Sequence, residues 1–310
     1  MNSVRRVFDG SRAGQKIVAN IYTPASSRTT ARRFTLLLTH ANGFHKELWE
    51  PTLERLFNAQ SNWTIAQAIA LDGYNHGDSA ILNRDSIKDE AESPWFLNAQ
   101  DILSVLEQLK PLENLVGIGH SWGASSLLLA ELLSPSTFRS LIITDPVLFA
   151  KPVRNEKLRG MTLKRRCEWP SIRDARNYFE PHEFFKRWDS RILDLHIRRG
   201  LEKVEGKWML KCRPVNEAAV FAGAFEASPF ATKNLFKVQC PTWFLTGETS
   251  LPSPPDYIRL ITKDMPDCQH VVMDGVGHLL LHEDPDRTAD YYVQFLNELA
   301  LKVPASDANL

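Results

Sequence analysis

Along most of this chain, short runs of consecutive apolar residues alternate with longer stretches in which apolar side chains recur every three or four positions. Uninterrupted apolar runs suit strands buried on both faces, and the 3.6-residue rhythm suits helices that cover such a sheet. The spacing predicts strands over Lys16–Tyr22, Phe34–His40, Trp63–Leu71, Leu115–Gly119, Ser140–Asp145, Thr242–Gly247 and Gln269–Met273. In Ser93–Lys110, Phe96, Ala99, Leu103 and Leu106 fall on one helical face behind Pro94, a residue suited to a first turn. Asp284-Pro285 opens a last helix through Tyr291, Val293, Phe295, Leu296 and Leu299. This alternation predicts an α/β fold, a mostly parallel sheet with helices on both faces.

The rhythm breaks off after Asp145-Pro146 and resumes at Cys240-Pro241-Thr242. Residues 151–235 are rich in Arg, Lys and Trp and helical by propensity, so they read as a helical lid inserted between core segments 1–150 and 236–310. An insertion at the carboxyl end of a strand roofs the place where open α/β sheets bind their ligands.

Directly behind the apolar run Leu115–Ile118 stands Gly119-His120-Ser121-Trp122-Gly123, followed by a run of helix formers. Strand, G-x-S-x-G, helix is the arrangement of a nucleophile elbow, in which glycines let the serine sit on a sharp turn. A serine hydroxyl needs a base, an acid to orient that base, and donors for an oxyanion. In the chain order serine, acid, histidine, the base is His278, after the turn Asp274-Gly275-Val276-Gly277. His282, four residues on, reads as a core or surface histidine, since HxxxH without a third ligand is a poor metal signal.

The acid is expected a few residues after the penultimate strand, but Thr246-Gly247-Glu248-Thr249-Ser250 offers a serine there. Asp145, at the carboxyl end of the neighbouring strand, is the first choice, with Glu248 as the alternative. Trp122 supplies one oxyanion N–H by position. The other is expected from the turn His40-Ala41-Asn42-Gly43-Phe44, at Asn42 or, next, Gly43. His40 reads as a residue that orders this loop, and Asp72–Ser79, dense in turn formers, as its brace. Trp49, Trp95 and Phe149 are candidates for an acyl pocket, though aromatic residues at such positions are ordinarily core.

Composition narrows the partners. Among 310 residues, Lys plus Arg and Asp plus Glu are both 37, which gives no electrostatic case for nucleic acid. The lid alone holds 19 Lys and Arg against 11 Asp and Glu, which suggests a substrate carrying negative charge. Four cysteines stand singly without metal spacing and read as reduced thiols. No run approaches the roughly 20 apolar residues of a transmembrane helix. No cofactor or metal motif is present, so none is expected.

The loop His40-Ala41-Asn42-Gly43-Phe44-His45-Lys46-Glu47, the elbow and Gly277-His278 together resemble the α/β-hydrolase superfamily over nearly the whole chain. With Asp145-Pro146-Val147, they resemble in particular fungal peroxisomal lipase-like and toxin-biosynthesis hydrolases. That resemblance implies an eight-stranded sheet, hydrolysis of a carboxylic ester or thioester without a cofactor, an acid at Asp145, and a place in lipid or secondary metabolism. Ala308-Asn309-Leu310 resembles a variant of the C-terminal peroxisomal address, so an import receptor is an expected partner, with the cytosol as the location otherwise. The same residues could serve a C–C hydrolase, a lyase or an acyltransferase. An inactive binding protein on this scaffold would lack the serine or the histidine, and both are here.

Overall fold

The computed structural model describes residues 1–25, 32–87 and 94–302. Eleven strands are found among them: β1 (Asn2–Asp9), β2 (Lys16–Thr23), β3 (Arg33–Thr39), β4 (Thr64–Leu71), β5 (Leu115–His120), β6 (Ser140–Thr144), β7 (Glu168–Trp169), β8 (Leu201–Val204), β9 (Lys207–Leu210), β10 (Thr242–Gly247) and β11 (Cys268–Met273). Eight form one sheet in the order β1-β2-β4-β3-β5-β6-β10-β11. Only β2 runs against the others, pairing antiparallel with β1 and β4.

Period-two alternation assigns each strand's side chains to two cores. Leu37, Ile69, Leu141, Ile143 and Phe244 face one side, where Pro94–Leu109 and Trp122–Leu133 pack. Leu36, Leu38, Ala68, Ala70, Ile142 and Leu245 face the other, under Glu50–Phe57 and Pro285–Lys302. The expected helices and strands are therefore present within a residue or two, Ser93 lying outside the described residues. Trp49 and Trp95 sit in these two cores, and Phe149 is half-buried at the start of the inserted stretch.

Two differences have physical reasons. β1 carries no apolar alternation because it is an edge strand whose side chains are exposed except for Phe8, with Arg5 and Arg6 guarding the edge. The stretch between β6 and β10 is not helical throughout. Its helices Glu156–Leu163, Ile172–Phe179, Ser190–Arg199 and Pro214–Asn234 are joined by a three-stranded antiparallel sheet, β7-β9-β8. Its β8–β9 hairpin turns at Glu205-Gly206, both at positive φ (49° and 85°), a turn chemistry that an isolated Glu-Gly barely announces. Trp169, Phe179, Phe185, Trp188, Ile192 and Leu195 form a third core that also takes in Ala41, Phe44 and Leu48 from behind β3. Val220, Ala224, Ala227 and Ala231 of the last helix join the core of the main sheet.

Candidate active site

Ser121 sits between β5 and the helix Trp122–Leu133 at φ 55°, ψ −118°, a left-handed backbone that non-glycine residues seldom adopt. The turn is this tight because its flanks touch. A Cβ at Gly119 would lie 2.6 Å from Ala124 Cα, and one at Gly123 would lie 2.5 Å from the Thr39 carbonyl oxygen. The Ser121 N–H donates to the Thr144 carbonyl (2.9 Å), tying the elbow to β6.

Asp145 follows β6, is fully buried, and also has positive φ (44°). Its Oδ1 lies 2.7 Å from His278 Nδ1, and His278 Nε2 lies 2.9 Å from Ser121 Oγ. The three residues expected from the sequence thus form one hydrogen-bonded line across 157 positions of chain. Ser250 occupies the position where an acid was sought, and its hydroxyl donates to Asp145 Oδ1 at 2.6 Å. The Gly247 N–H donates to Oδ2 at 2.8 Å. Glu248 is exposed and accepts from the Gly275 N–H (2.8 Å), so the alternative acid is turned to the outer side of the histidine loop.

Nothing local in the sequence assigns a task to His120 within the elbow. It is buried, and its Nε2 donates to the His278 carbonyl oxygen at 2.8 Å, which places a proton on that nitrogen. Burial, with His278 beside it, pushes its pKa down to about 3. The His278 backbone is thereby held to the strand that carries the serine.

The turn after β3 is ordered by imidazoles. His40 Nδ1 donates to the Ala41 carbonyl (2.8 Å) and Nε2 accepts the Gly73 N–H (3.0 Å). The Gly43 N–H donates to His76 Nε2 (2.9 Å). Burial lowers the pKa of both histidines, holding them neutral. Trp122 N–H opens its helix and has no intrahelical acceptor.

Beneath this turn lies a buried ion cluster. Lys46 Nζ meets Asp72 (2.8 Å), Glu47 (2.8 Å) and Asp78 (2.9 Å), and Lys211 reaches Asp78 at 2.6 Å. Burial alone would push the Lys46 ammonium down, but the three carboxylates outweigh it and raise its pKa. Asp72 also accepts the Lys46 N–H (2.8 Å), joining the ends of β3 and β4. Replacing Lys46 by Met strands buried carboxylates and is expected to lower the unfolding free energy by about 3–5 kcal/mol in urea denaturation.

Among the described residues, no group of three or more His, Cys, Asp and Glu is placed to hold a metal ion. No described helix is long and apolar enough to cross a membrane.

The chain is similar to the peroxisomal membrane protein LPX1 of Saccharomyces cerevisiae, 25% identical over 327 aligned positions that cover 95% of this chain and 84% of that one. The crystal structure described as the peroxisomal alpha-beta-hydrolase Lpx1 superposes with a TM-score of 0.86, at 25% identity, over all of this chain and 91% of the other. A type I acyl-CoA thioesterase, mpaH of Penicillium brevicompactum, is 28% identical over 183 residues, 55% of this chain but 42% of that protein. E-2-(acetamidomethylene)succinate hydrolase shares the fold (TM-score 0.74, 19% identity, 96% and 100% of the two chains). The family model for the alpha/beta hydrolase family matches residues 36–291, from within β3 to within the last helix, and the chain belongs to that family.

Proposed function

We propose that this hydrolase cleaves a carboxylic ester or thioester through an acyl-enzyme on Ser121. The observation that carries the reading is the unbroken line from Ser121 Oγ through His278 to Asp145. His278 Nε2 takes the proton as Oγ attacks the carbonyl carbon, and returns it to the departing alkoxide or thiolate. Asp145 holds the Nδ1–H tautomer and stabilises the imidazolium that forms. The N–H groups of Trp122 and Asn42 receive the oxyanion. Water activated by the same imidazole then releases the acid.

Residues 151–235 would roof this site, and their excess of Lys and Arg favours a substrate with an anionic end. The acyl-CoA thioesterase among the relatives supports extending the reading to thioesters. Likeness to a peroxisomal protein supports a peroxisomal location. The tripeptide Ala308-Asn309-Leu310 that would engage an import receptor lies outside the described residues.

A fluorophosphonate probe should label Ser121, and a panel of acyl p-nitrophenyl esters and acyl thioesters should define the substrate class. Anionic thioesters are expected to exceed neutral esters of equal chain length by about tenfold in kcat/KM at low salt, the advantage shrinking as ionic strength rises. Equal rates without salt dependence would remove the anionic preference and leave the acyl-enzyme untouched.

A further inference from the structure

The first turn of Pro214–Asn234 is stitched to the turn after β3 and its neighbour. Asn42 Nδ2 donates to the Glu217 carbonyl (3.0 Å), and Asn216 Nδ2 donates to the Asn75 carbonyl (3.0 Å). This seats the Glu217 side chain against Gly43. That glycine has φ 84°, and a Cβ there would lie 3.0–3.2 Å from the carboxyl group of Glu217. A buried carboxylate therefore rests on the residue next to Asn42, whose N–H is proposed to bind the oxyanion. Two negative charges so close would oppose one another across a medium that screens poorly.

Arg165, which follows the helix Glu156–Leu163, answers that charge: its Nη2 lies 2.5 Å from Glu217 Oε2. Burial raises the Glu217 carboxyl above its ordinary range, and Arg165 offsets that rise only in part. Among the described residues, the other titratable groups that feel the pair are His76, His196 and the thiol of Cys212. Burial holds both imidazoles neutral and raises the thiol well above its usual range. Among the described residues, Arg165 is then the charge that balances Glu217.

We infer that Arg165 is a positioning residue of the hydrolytic site: by pairing with Glu217 it keeps the turn carrying the Asn42 N–H free of net negative charge, so that an oxyanion can form there. The inference rests on the acyl-enzyme reading and adds a residue from the inserted stretch to it. It also makes activity depend on how two parts of that stretch sit against each other, because Arg165 lies in the bend after Glu156–Leu163 and Glu217 in the first turn of Pro214–Asn234.

The test compares wild type, Arg165→Lys, Arg165→Met and Arg165→Met/Glu217→Gln on a short p-nitrophenyl ester from about pH 6 to about pH 9. Arg165→Met is expected to lower kcat about tenfold or more at the alkaline end, with KM moving less than about threefold. The deficit should fade toward acid pH, where the unpaired Glu217 takes up a proton. Arg165→Lys should keep the wild-type profile, and Glu217→Gln added to Arg165→Met should recover most of the loss and erase its pH dependence. A purely structural pair would instead give a pH-independent deficit that the second substitution deepens, and that outcome overturns the inference. So does an Arg165→Met variant with wild-type kcat throughout. An inactive wild type that the fluorophosphonate fails to label would overturn the serine-hydrolase reading itself, whereas an active wild type beside either of those results overturns the pair alone.

Discussion

Ser121→Ala is expected to reduce kcat on a short p-nitrophenyl ester by about 10⁶-fold and to abolish fluorophosphonate labelling, while leaving the protein folded. The size follows from what alanine removes. The hydroxyl is the atom that would become bonded to the acyl group, and no other described nucleophile lies in the line with His278. Geometry should survive because alanine meets the same backbone penalty at φ 55° as serine, and the flanking contacts of Gly119 and Gly123 are unchanged. The Ser121 N–H would still donate to Thr144. Melting temperature is therefore expected to stay within a few degrees or to rise, since strained reactive sites commonly cost stability. Undiminished turnover in this variant would remove the mechanism altogether, and a large fall in melting temperature would make the activity loss uninformative.

The strand pattern was legible because parallel strands buried on both faces are written as apolar runs: Leu36–Leu38 and Leu141–Ile143 supply side chains to both cores. The elbow was legible for a different reason, since only glycine fits against Ala124 on one flank and the Thr39 carbonyl on the other. What the chain does not announce is whatever depends on partners distant in sequence. His76 looks like a turn histidine until Gly43 is seen to donate to it, and His120 looks like filler in the elbow until the His278 carbonyl reaches it. Glu217 reads as a helix residue, and nothing local places it against Gly43. The β8–β9 hairpin was missed because its strands are four residues each and carry little alternation.

Ser250 shows the same limit at the acid. Its place after β10 is where the usual spacing predicts a carboxylate, and the residue there is a partner of the carboxylate that follows β6. Both strands end beside the His278 loop, so an acid from either could reach Nδ1; the register of β6 against β10 brings Asp145 in, with its N–H on the Leu245 carbonyl at 2.7 Å.

That arrangement makes Asp145→Asn the sharper experiment. Three donors converge on this one carboxylate: the Ser250 hydroxyl and His278 Nδ1–H on Oδ1, and the Gly247 N–H on Oδ2. An asparagine offers one carbonyl oxygen and an NH₂ group that is itself a donor, so it cannot satisfy all three. If the amide oxygen keeps the Gly247 N–H, the NH₂ group faces His278 and favours the tautomer protonated on Nε2. That nitrogen then presents a proton to Ser121 Oγ and cannot accept one. A loss of about 10⁴-fold in kcat is expected, the magnitude seen when the orienting acid of a serine protease is made an amide, with KM little changed. Glu248→Gln should change kcat by less than about threefold, because a glutamine carbonyl can still accept the Gly275 N–H from its exposed position. Measured side by side on the same ester, a larger loss in Glu248→Gln than in Asp145→Asn would reassign the acid to β10 and make Asp145 a residue that only secures the end of β6.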